Sequence, residues 1–336
     1  MMKRLFLLNL MTIMMAATIS VSFVSCDNDN DNDNGNSGVD SPSALTCIVD
    51  KESGLRLKSF SEQVLHYSDD GMLESVTASY DNMEEQYTFD YPANQIIETW
   101  RYSEGETGTQ IYSVKYNKQG FITVFDTDYE EEGYATSEKN LFNYDSEGHM
   151  SSCSLYGVID RIKDGERLYL EWNYKVTFDW KDGLLLYLAF DGEDTENETK
   201  SSSSYKLKYY YDADYPNKYK QWGIYHGFPT VGDTYFFLPF IGLMGIGPDR
   251  LPSRMTYIGN DNQEDPDHKW NFSFTFNEDG SLATMAGFKF SYEYANGNGE
   301  TRLAAPSVMT VEDGTGFRPR HRHAPLFGGI PVTGKE

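Results

Sequence analysis

The sequence is poor in cysteine and in basic residues, and each shortage excludes a class of protein. It has three cysteines in 336 residues, Cys26, Cys47 and Cys153, which are too few for a disulfide framework. Lys and Arg number 28 against 52 Asp and Glu, so the net charge is -24. Nucleic-acid binding needs a basic surface, and so does electrostatic docking on anionic lipid. We therefore expect no nucleic acid among the partners of this chain.

The sequence also lacks the common motifs of catalytic and metal sites. It contains no G-x-S-x-G elbow, no H-E-x-x-H pair, no glycine-rich phosphate loop and no C-x-x-C pair. His321 and His323 stand close together, but two ligands do not make a metal site. The early Asp/Asn run fails the calcium-loop pattern, because Asn30 takes the first position and Ser41 the twelfth. We predict no catalytic residues, no metal and no cofactor.

One acidic run keeps an enzymatic alternative open. Asp126, Asp128 and Glu130 alternate along the chain, so they would project from one face of a strand. Paired carboxylates perform glycoside hydrolysis when they face each other across a site. In so acidic a chain, a solvated sheet face carries such a run as well.

The N-terminus has the three parts of a secretory signal. A basic pair, Lys3 and Arg4, precedes an uncharged, mostly apolar run that reaches Val24. The segment Phe23-Val24-Ser25-Cys26 resembles a bacterial lipobox. That resemblance implies that residues 1–25 are removed and that Cys26 takes a diacylglycerol, which would tie the chain to a membrane without spanning it. The alternatives are an ordinary signal peptide and an uncleaved membrane helix.

A polar tether and one domain are predicted to follow. Asp27 to Asn34 alternate Asp and Asn, and no apolar residue occurs before Val39, so the stretch 26–43 cannot bury surface. We predict a single β-domain over 44–310 and a flexible tail over 311–336.

The period of the apolar residues predicts strands. Every even position from Leu168 to Trp180 is apolar or aromatic, whereas the odd positions are mostly polar. Side chains alternate between the faces of a strand, so this is a long strand with one apolar face. The same alternation marks Tyr87–Tyr91, Tyr112–Tyr116, Tyr205–Tyr211, Trp270–Phe276 and Phe288–Tyr294.

A turn motif separates these strands: an aromatic residue, three polar residues, glycine, any residue and an apolar residue. Glycine supplies the positive φ that closes a hairpin. Successive aromatic residues Tyr91, Tyr116 and Tyr144 indicate two strands per unit. The fold predicted is all-β, an antiparallel up-and-down meander of hairpins curled into a barrel-like or strongly twisted sheet. Its turn glycines are Gly71, Gly120, Gly148, Gly280 and, in a shortened copy, Gly183.

The alternation stops in the insert Tyr235–Gly247. This apolar segment is shorter than the roughly 20 residues of a transmembrane helix, and Pro239 with three glycines disfavours a long helix. Two interpretations stay open: a plug packed on the apolar face of the sheet, and an exposed docking patch. The residues concerned are Tyr235, Phe236, Phe237, Phe240, Leu243 and Met244.

The turns are similar to the tyrosine-aspartate hairpin repeats of large secreted bacterial proteins. The whole layout resembles a family of uncharacterised lipoproteins of Gram-negative gut anaerobes, whose domain of unknown function is described as porin-like. The lipobox, the Asp/Asn tether, the turns and the stretch Tyr235–Leu251 with its following Pro252 carry the resemblance, which covers about 44–310. It implies a fold and a location, but no activity.

We therefore expect a cell-envelope domain anchored by lipid at Cys26 to the outer membrane, on either of its sides. A lipobox argues against the other reading of these strands, a membrane-spanning barrel. The function expected is non-catalytic binding or scaffolding, with a glycan or a surface protein as partner. The alternative is a glycan-active hydrolase that uses paired carboxylates.

Overall fold

The described part of the chain consists of strands and turns. The computed structural model describes residues 47–50, 52–131, 133–163, 166–222, 238–259, 262–285 and 288–295. All of them belong to one compact unit, 41–336. The predicted signal peptide, tether and tail lie outside the described residues. No helix in the described segments is long and apolar enough to cross a bilayer.

Within these segments 18 strands form one sheet. They are β1 (Ile48–Asp50), β2 (Leu55–Phe60), β3 (Gln63–Tyr67), β4 (Leu73–Tyr80), β5 (Met83–Asp90), β6 (Gln95–Tyr102), β7 (Thr107–Tyr116), β8 (Ile122–Glu131), β9 (Tyr134–Tyr144), β10 (Met150–Lys163), β11 (Glu166–Lys181), β12 (Leu184–Glu196), β13 (Thr199–Tyr210), β14 (Arg254–Ile258), β15 (Glu264–Asn271), β16 (Phe274–Phe276), β17 (Leu282–Met285) and β18 (Phe288–Tyr294).

The pairing is antiparallel and follows chain order. Each strand from β2 to β14 pairs with the next, and β16, β17 and β18 pair in the same way. The sheet then curls back, because β18 pairs with β2. The Arg56 guanidinium on β2 reinforces this pair by donating to Glu293 on β18, with nitrogen–oxygen distances of 2.7 and 2.9 Å. The structure confirms the predicted all-β antiparallel meander.

The core lies on one face of the sheet, as β11 illustrates. Trp172, Tyr174, Val176 and Phe178 are buried, while the residues between them are exposed. The exposed residues are charged or polar and stay in water, whereas the buried aromatic and branched residues exclude it.

One predicted strand is wrong. The alternation of Trp270, Phe272, Phe274 and Phe276 predicts a single strand, but the structure divides it into β15 and β16. The Phe272 N–H still donates to the Ser253 carbonyl at 2.9 Å, one residue beyond the β14–β15 ladder, and from Phe274 the chain pairs with β17 instead. Period alone does not show such a change of partner.

The glycine turns all lie at one end of the strands, called here the glycine-turn end. Gly71, Gly120, Gly148, Gly183 and Gly280 have φ between 72° and 90°, the left-handed region that glycine adopts without strain. The first polar residue of the motif fixes the loop: the Asn117 carboxamide oxygen accepts from the N–H groups of Gln119 and Phe121, and Asp145 accepts likewise from Glu147 and His149.

The aromatic residue of the motif joins strands through its polar atom. The Tyr144 hydroxyl donates to the carbonyl oxygen of Ile122 at 2.6 Å, across the β8–β9 hairpin and back to its first residue. Each such bond ties the two ends of a hairpin together at the glycine-turn end. The same contact recurs from Tyr91 to Leu73 (2.7 Å), Trp180 to Met150 (2.8 Å), Tyr211 to Leu185 (2.8 Å) and Tyr292 to Leu282 (3.0 Å).

Removal of one such bond tests its contribution. We expect Tyr144→Phe to lower the free energy of unfolding by about 1–2 kcal/mol, because the ring stays while the Ile122 carbonyl loses its donor. Tyr116→Phe is the matched control: the same motif position, half-buried, with no hydrogen bond from its hydroxyl within the described residues. Urea denaturation measures both. Equal losses in the two variants would show that the hydroxyl bond is not what stabilises the hairpin.

The described part of the insert, Leu238–Gly247, packs on the core at the glycine-turn end. Phe240 packs between Phe60 and Phe290, with ring centroids 4.8 and 5.4 Å away, and is 4% exposed. Leu243 is completely buried, and its carbonyl accepts from the Ile122 N–H at 2.8 Å. Met244 is buried too. Tyr235, Phe236 and Phe237 lie outside the described residues. The described half of the insert thus belongs to the core.

A buried asparagine fixes the path of the chain on either side of this segment. The Asn217 amide nitrogen donates to the carbonyls of Gln221 (2.9 Å) and Pro248 (2.7 Å), and its oxygen accepts from the Gln221 N–H at 3.0 Å. The Gly247 N–H donates to Lys220 at 2.8 Å. These bonds replace sheet pairing where the β pattern stops.

Candidate functional site

Polar side chains occupy the buried face of the sheet between β6 and β9. We call Glu98, Gln110, Thr127, Glu138 and Asn140 the polar row. Glu98 lies opposite Gln110 in the β6–β7 ladder, and Thr127 opposite Glu138 in the β8–β9 ladder. Only a few polar residues share the face of a core in most proteins, so a group of five calls for a physical account.

Glu98 is 6% exposed and is held by two phenols. The Tyr112 hydroxyl donates to its Oε2 at 2.6 Å, and the Tyr87 hydroxyl to its Oε1 at 3.3 Å. Burial raises the pKa of the Glu98 carboxyl, and the two phenol bonds lower it. Glu98 is thus a fixed acceptor whose donors come from the protein itself.

Glu138 differs from Glu98 in that no tyrosine hydroxyl among the described residues donates to it. Burial raises the pKa of its carboxyl from 4.5 to about 7; the Asn140 amide lowers that pKa, and the charge of Glu98 raises it further. The residue as a whole is half-buried, yet its Oε2 is inaccessible to solvent and has no hydrogen-bond partner within the described residues. At neutral pH this carboxyl exchanges between its charged and neutral forms.

Asn140 adds a second acceptor of the same kind. It is 1% exposed, its amide nitrogen donates to the Phe125 carbonyl at 3.1 Å, and its Oδ1 has no partner in the described part of the chain. Gln110 and Thr127 do not supply a donor, because the Gln110 amide donates to Thr127 (3.1 Å) and the Thr127 hydroxyl to the Ile111 carbonyl (2.9 Å). None of the described ion pairs reaches Glu98 or Glu138. The polar row therefore offers acceptors and lacks donors.

Two tryptophans flank the polar row on the same face. Trp172 lies opposite Gly157, which in turn lies opposite Glu138, so the three are neighbours across β9, β10 and β11. A Cβ at Gly157 would overlap the Trp172 ring. Trp100 covers Gly108 in the same manner on β6 and β7. In both pairs the missing side chain lets an indole lie over the strand beside it.

The row stands where the core becomes accessible. On β7, Tyr112 and Val114 are buried while Gln110 is half-buried; on β11, Trp172 is 8% exposed while Leu170 is half-buried. The accessible half lies at the strand ends opposite the glycine turns. The buried face is thus filled at the glycine-turn end and partly open beyond the polar row.

The acids predicted from their alternation lie elsewhere. Asp126, Asp128 and Glu130 face the exposed side of β8; Asp126 is half-buried opposite Lys139, and the other two are exposed. Burial raises the pKa of Asp126, and Lys139 lowers it. The three carboxylates follow one face of a single strand and do not face each other across a cleft.

The other polar candidates have local contacts. His149 stacks on Trp180 at 4.4 Å, and His268 contacts Asp265 at 2.7 Å. No group of three metal-ligating side chains occurs within the described residues. Cys47 and Cys153 are free thiols; burial raises the pKa of Cys47 to about 12 and that of Cys153 further. Cys26, His321 and His323 lie outside the described residues.

A shallow groove also crosses the exposed face of β11, β12 and β13. Its volume is about 490 Å³, and its walls include Asn173, Lys175, Asp191, Glu193 and three serines. Its lining residues are polar or charged apart from Gly192, so we regard it as part of the solvated face.

Sequence reasoning missed the polar row. The sequence signal for its β9 part is the alternation Thr136-x-Glu138-x-Asn140-x-Phe142. The three polar residues fall on the same side of a strand as the apolar Phe142. Taken alone, such an alternation indicates a solvated face, because only the neighbouring strands show which face of the sheet is covered.

These features define an antiparallel β-meander domain with an acceptor-rich row on its buried face. No family model matches the chain, and no curated protein is significantly similar to it. A solved structure that it resembles weakly is a porin-like protein from Bacteroides uniformis ATCC 8492, at 9% identity and a TM-score of 0.31, over 70% of this chain and 98% of that one. Similarity at this level bears on no functional argument, so the lipoprotein-family resemblance stays a prediction.

Proposed function

We propose that this chain is a lipid-anchored binding protein of the bacterial cell envelope, which holds a ligand against the polar row and performs no chemistry on it. The observation that carries this proposal is Glu138, a half-buried residue at the border of the open half of the buried face, whose Oε2 lacks a donor among the described residues. A buried acceptor without a donor costs about 1–3 kcal/mol. A ligand that enters from the open half of the face and donates to the Glu138 carboxyl would recover that free energy.

The exposed face of the sheet supports a domain that stands in water. On β11 it carries Glu171, Asn173, Lys175, Thr177 and Asp179. A strand that faces lipid carries apolar residues at such positions. The membrane attachment proposed here therefore comes from the diacylglycerol at Cys26 and not from the strands.

The anchor is tested by substitution at the lipobox. We expect Cys26→Ser to abolish lipidation and to release the protein from membranes, because serine offers no thiol for the diacylglycerol. Ser25→Ala is the control, since alanine keeps a small residue before the cysteine. Fractionation after a carbonate wash measures both. A Cys26→Ser protein that stays with the membrane would refute the lipid anchor.

The binding role is tested on the mature chain purified in detergent. Its thermal unfolding is followed with neutral oligosaccharides, polyamines and peptides, because a ligand that binds only the folded state raises the melting temperature. We expect at least one of these classes to do so and Glu138→Gln to weaken the effect. If no class raises the melting temperature, the binding role is wrong.

A hydrolase that acts on glycans is the second candidate. Glu138, with its pKa of about 7, would suit a general acid, and Glu98 is a second carboxyl on the same face. However, Tyr87 and Tyr112 hold Glu98 as an acceptor, which leaves no free second carboxylate. Incubation with soluble oligosaccharides separates the two functions: a binding protein leaves them intact, whereas a hydrolase cleaves them and loses this activity in Glu138→Gln.

A further inference from the structure

We propose that the C-terminal segment 318–325 adds to the sheet as a strand beside β13 of the same molecule. Its alternating arginines would then pair with Asp191 and Glu193 on β12. This contact is separate from the polar row and does not depend on the proposed function. It would fix one part of the tail that the sequence predicts to be flexible over 311–336.

One edge of β13 lacks a partner strand, within the described residues, over half of its length. On one side β12 pairs with residues 199–208, whereas on the other side β14 pairs only with residues 206–210. Residues 199–205 therefore form a free edge. Natural sheets protect such edges with proline, bulges or charged side chains. This edge, Thr-Lys-Ser-Ser-Ser-Ser-Tyr, has no proline, no register shift and one charge, so it is open to an added strand.

The free peptide groups of this edge belong to residues whose side chains face outward. The Tyr210 carbonyl accepts from the Ser253 N–H at 2.8 Å, on the β14 side of β13. Residues two apart along a strand direct their peptide groups to the same side. The peptide groups of Lys200, Ser202 and Ser204 therefore point to that side too, beyond the end of β14. A strand that paired with them would carry its own paired side chains on the same outward face.

The outward face beside this edge is acidic behind a row of serines. In the β12–β13 ladder Ser204 lies opposite Asp191, and Ser202 lies opposite Glu193. All four line the polar groove across β11, β12 and β13, whose volume is about 490 Å³. From an added strand each acid is two strands away, about 10 Å. Because serine is short, an arginine of the added strand can lie over it and reach the acid behind.

The segment 318–325 has the matching pattern. It reads Arg-Pro-Arg-His-Arg-His-Ala-Pro, and alternate side chains of a strand share a face, so its arginines would lie together on the outward side. One antiparallel register gives each of two arginines a serine and gives the lysine an alanine: Arg320 opposite Ser204, Arg322 opposite Ser202 and Ala324 opposite Lys200. This register aligns each arginine with one acid and sets no like charges opposite each other.

The prolines of the segment support the same register. When the arginines pair with β13, Pro319 and Pro325 turn their nitrogens away from it. Proline has no N–H to donate, so a strand accepts it at such edge positions and not at paired ones. The two prolines would also protect the new edge against a further strand.

The chain is long enough to reach this edge from the last described residue. The Ala295 N–H donates to the Gly54 carbonyl at 2.9 Å, at the glycine-turn end. Residues 296–317 extend up to about 70 Å at roughly 3.3 Å per residue. The 12 residues of β13 span only about 40 Å. A tail that starts at the glycine-turn end would also run along β13 in the antiparallel direction, because β13 ends there.

The experiment measures amide hydrogen exchange along β13 by mass spectrometry, with the mature chain purified in detergent. It is compared with a chain truncated after residue 317 and with the double variant Arg320→Glu, Arg322→Glu. Arg302→Glu is the matched control, an arginine of the same tail outside the segment. Each protein is checked for wild-type circular dichroism. We expect the amides of Ser202 and Ser204 to exchange at least about tenfold faster in the first two proteins than in the wild type and the control.

A disulfide identifies the molecule that supplies the strand. Paired residues of an antiparallel ladder have Cα atoms about 5.5 Å apart, which suits a disulfide. We expect Ser202→Cys with Arg322→Cys to form one within a single molecule on oxidation, and Ser202→Cys with Arg320→Cys, two residues out of register, to form far less. Cys47 and Cys153 are buried thiols and do not compete.

Three results would overturn the inference. Fast exchange of the edge in every protein would mean that nothing pairs with it. Slow exchange that survives both truncation and charge reversal would mean that another segment covers it. A disulfide that joins two molecules would mean that the strand comes from a second copy of the chain.

Discussion

Phe240→Ala is expected to lower the free energy of unfolding by about 3–5 kcal/mol, because it removes a buried ring and leaves a cavity. The ring fills the space between Phe60 and Phe290, where β2 and β18 meet. Export and lipidation should be unchanged.

Urea denaturation measures this loss, with Ile111→Ala as the control. Ile111 is 47% exposed, so its truncation removes an apolar side chain without opening a cavity and should cost well under about 1 kcal/mol. If Phe240→Ala unfolds like the wild type and instead loses binding to a cell-surface partner, the insert is a docking patch and not a plug.

The second large effect is a dependence of stability on pH that Glu138 controls. Its pKa is 4.5 in the unfolded chain and about 7 in the folded one, so the folded state holds the proton more tightly. The stability that comes from this proton is complete below pH 4.5 and is lost as the pH rises to about 7. The difference amounts to at most about 3 kcal/mol.

Glu138→Gln should remove that part of the pH dependence, because glutamine stays neutral. The free energy of unfolding is measured in urea from pH 5 to pH 8. Glu98 is present in both proteins and is coupled to Glu138 by charge, so the difference between them reports Glu138 together with that coupling. Glu130→Gln, which removes an exposed carboxyl on the other face of β8, should follow the wild type. Parallel curves for Glu138→Gln and the wild type would mean that Glu138 does not titrate in this range.

Much of the fold can be predicted from the sequence because its signals are local. The alternation of apolar and polar residues in β11 determines which face each side chain takes, and the glycine turns determine where each hairpin closes. Both signals depend on residues only a few positions apart. The division between β15 and β16 could not be predicted, because it depends on a change of partner strand, from β14 for β15 to β17 for β16. Likewise, the turn motif shows Tyr144 but not the carbonyl that its hydroxyl reaches.

The candidate site escaped prediction for a related reason. The acidic alternation at Asp126, Asp128 and Glu130 and the polar alternation at Glu138 and Asn140 look alike in one dimension. Only the registers with the neighbouring strands show that Glu138 lies beside Gly157 and Trp172 on the buried face, while Asp126 lies opposite Lys139 on the other face. A strand's covered side is a property of the sheet and not of the strand.

The pairing of β2 with β18 also bears on when the domain folds during its synthesis. Arg56 and Glu293, which join these strands, are 237 residues apart in the chain. Contacts across so long a segment form late, after the entropy of closing the segment has been overcome. Under the export and N-terminal anchor proposed above, β2 would therefore leave the cytoplasm long before its partner strand β18. The exporting machinery would meet an open sheet, and any truncation before Phe288 would leave β2 with a bare edge, a template for pairing with other chains.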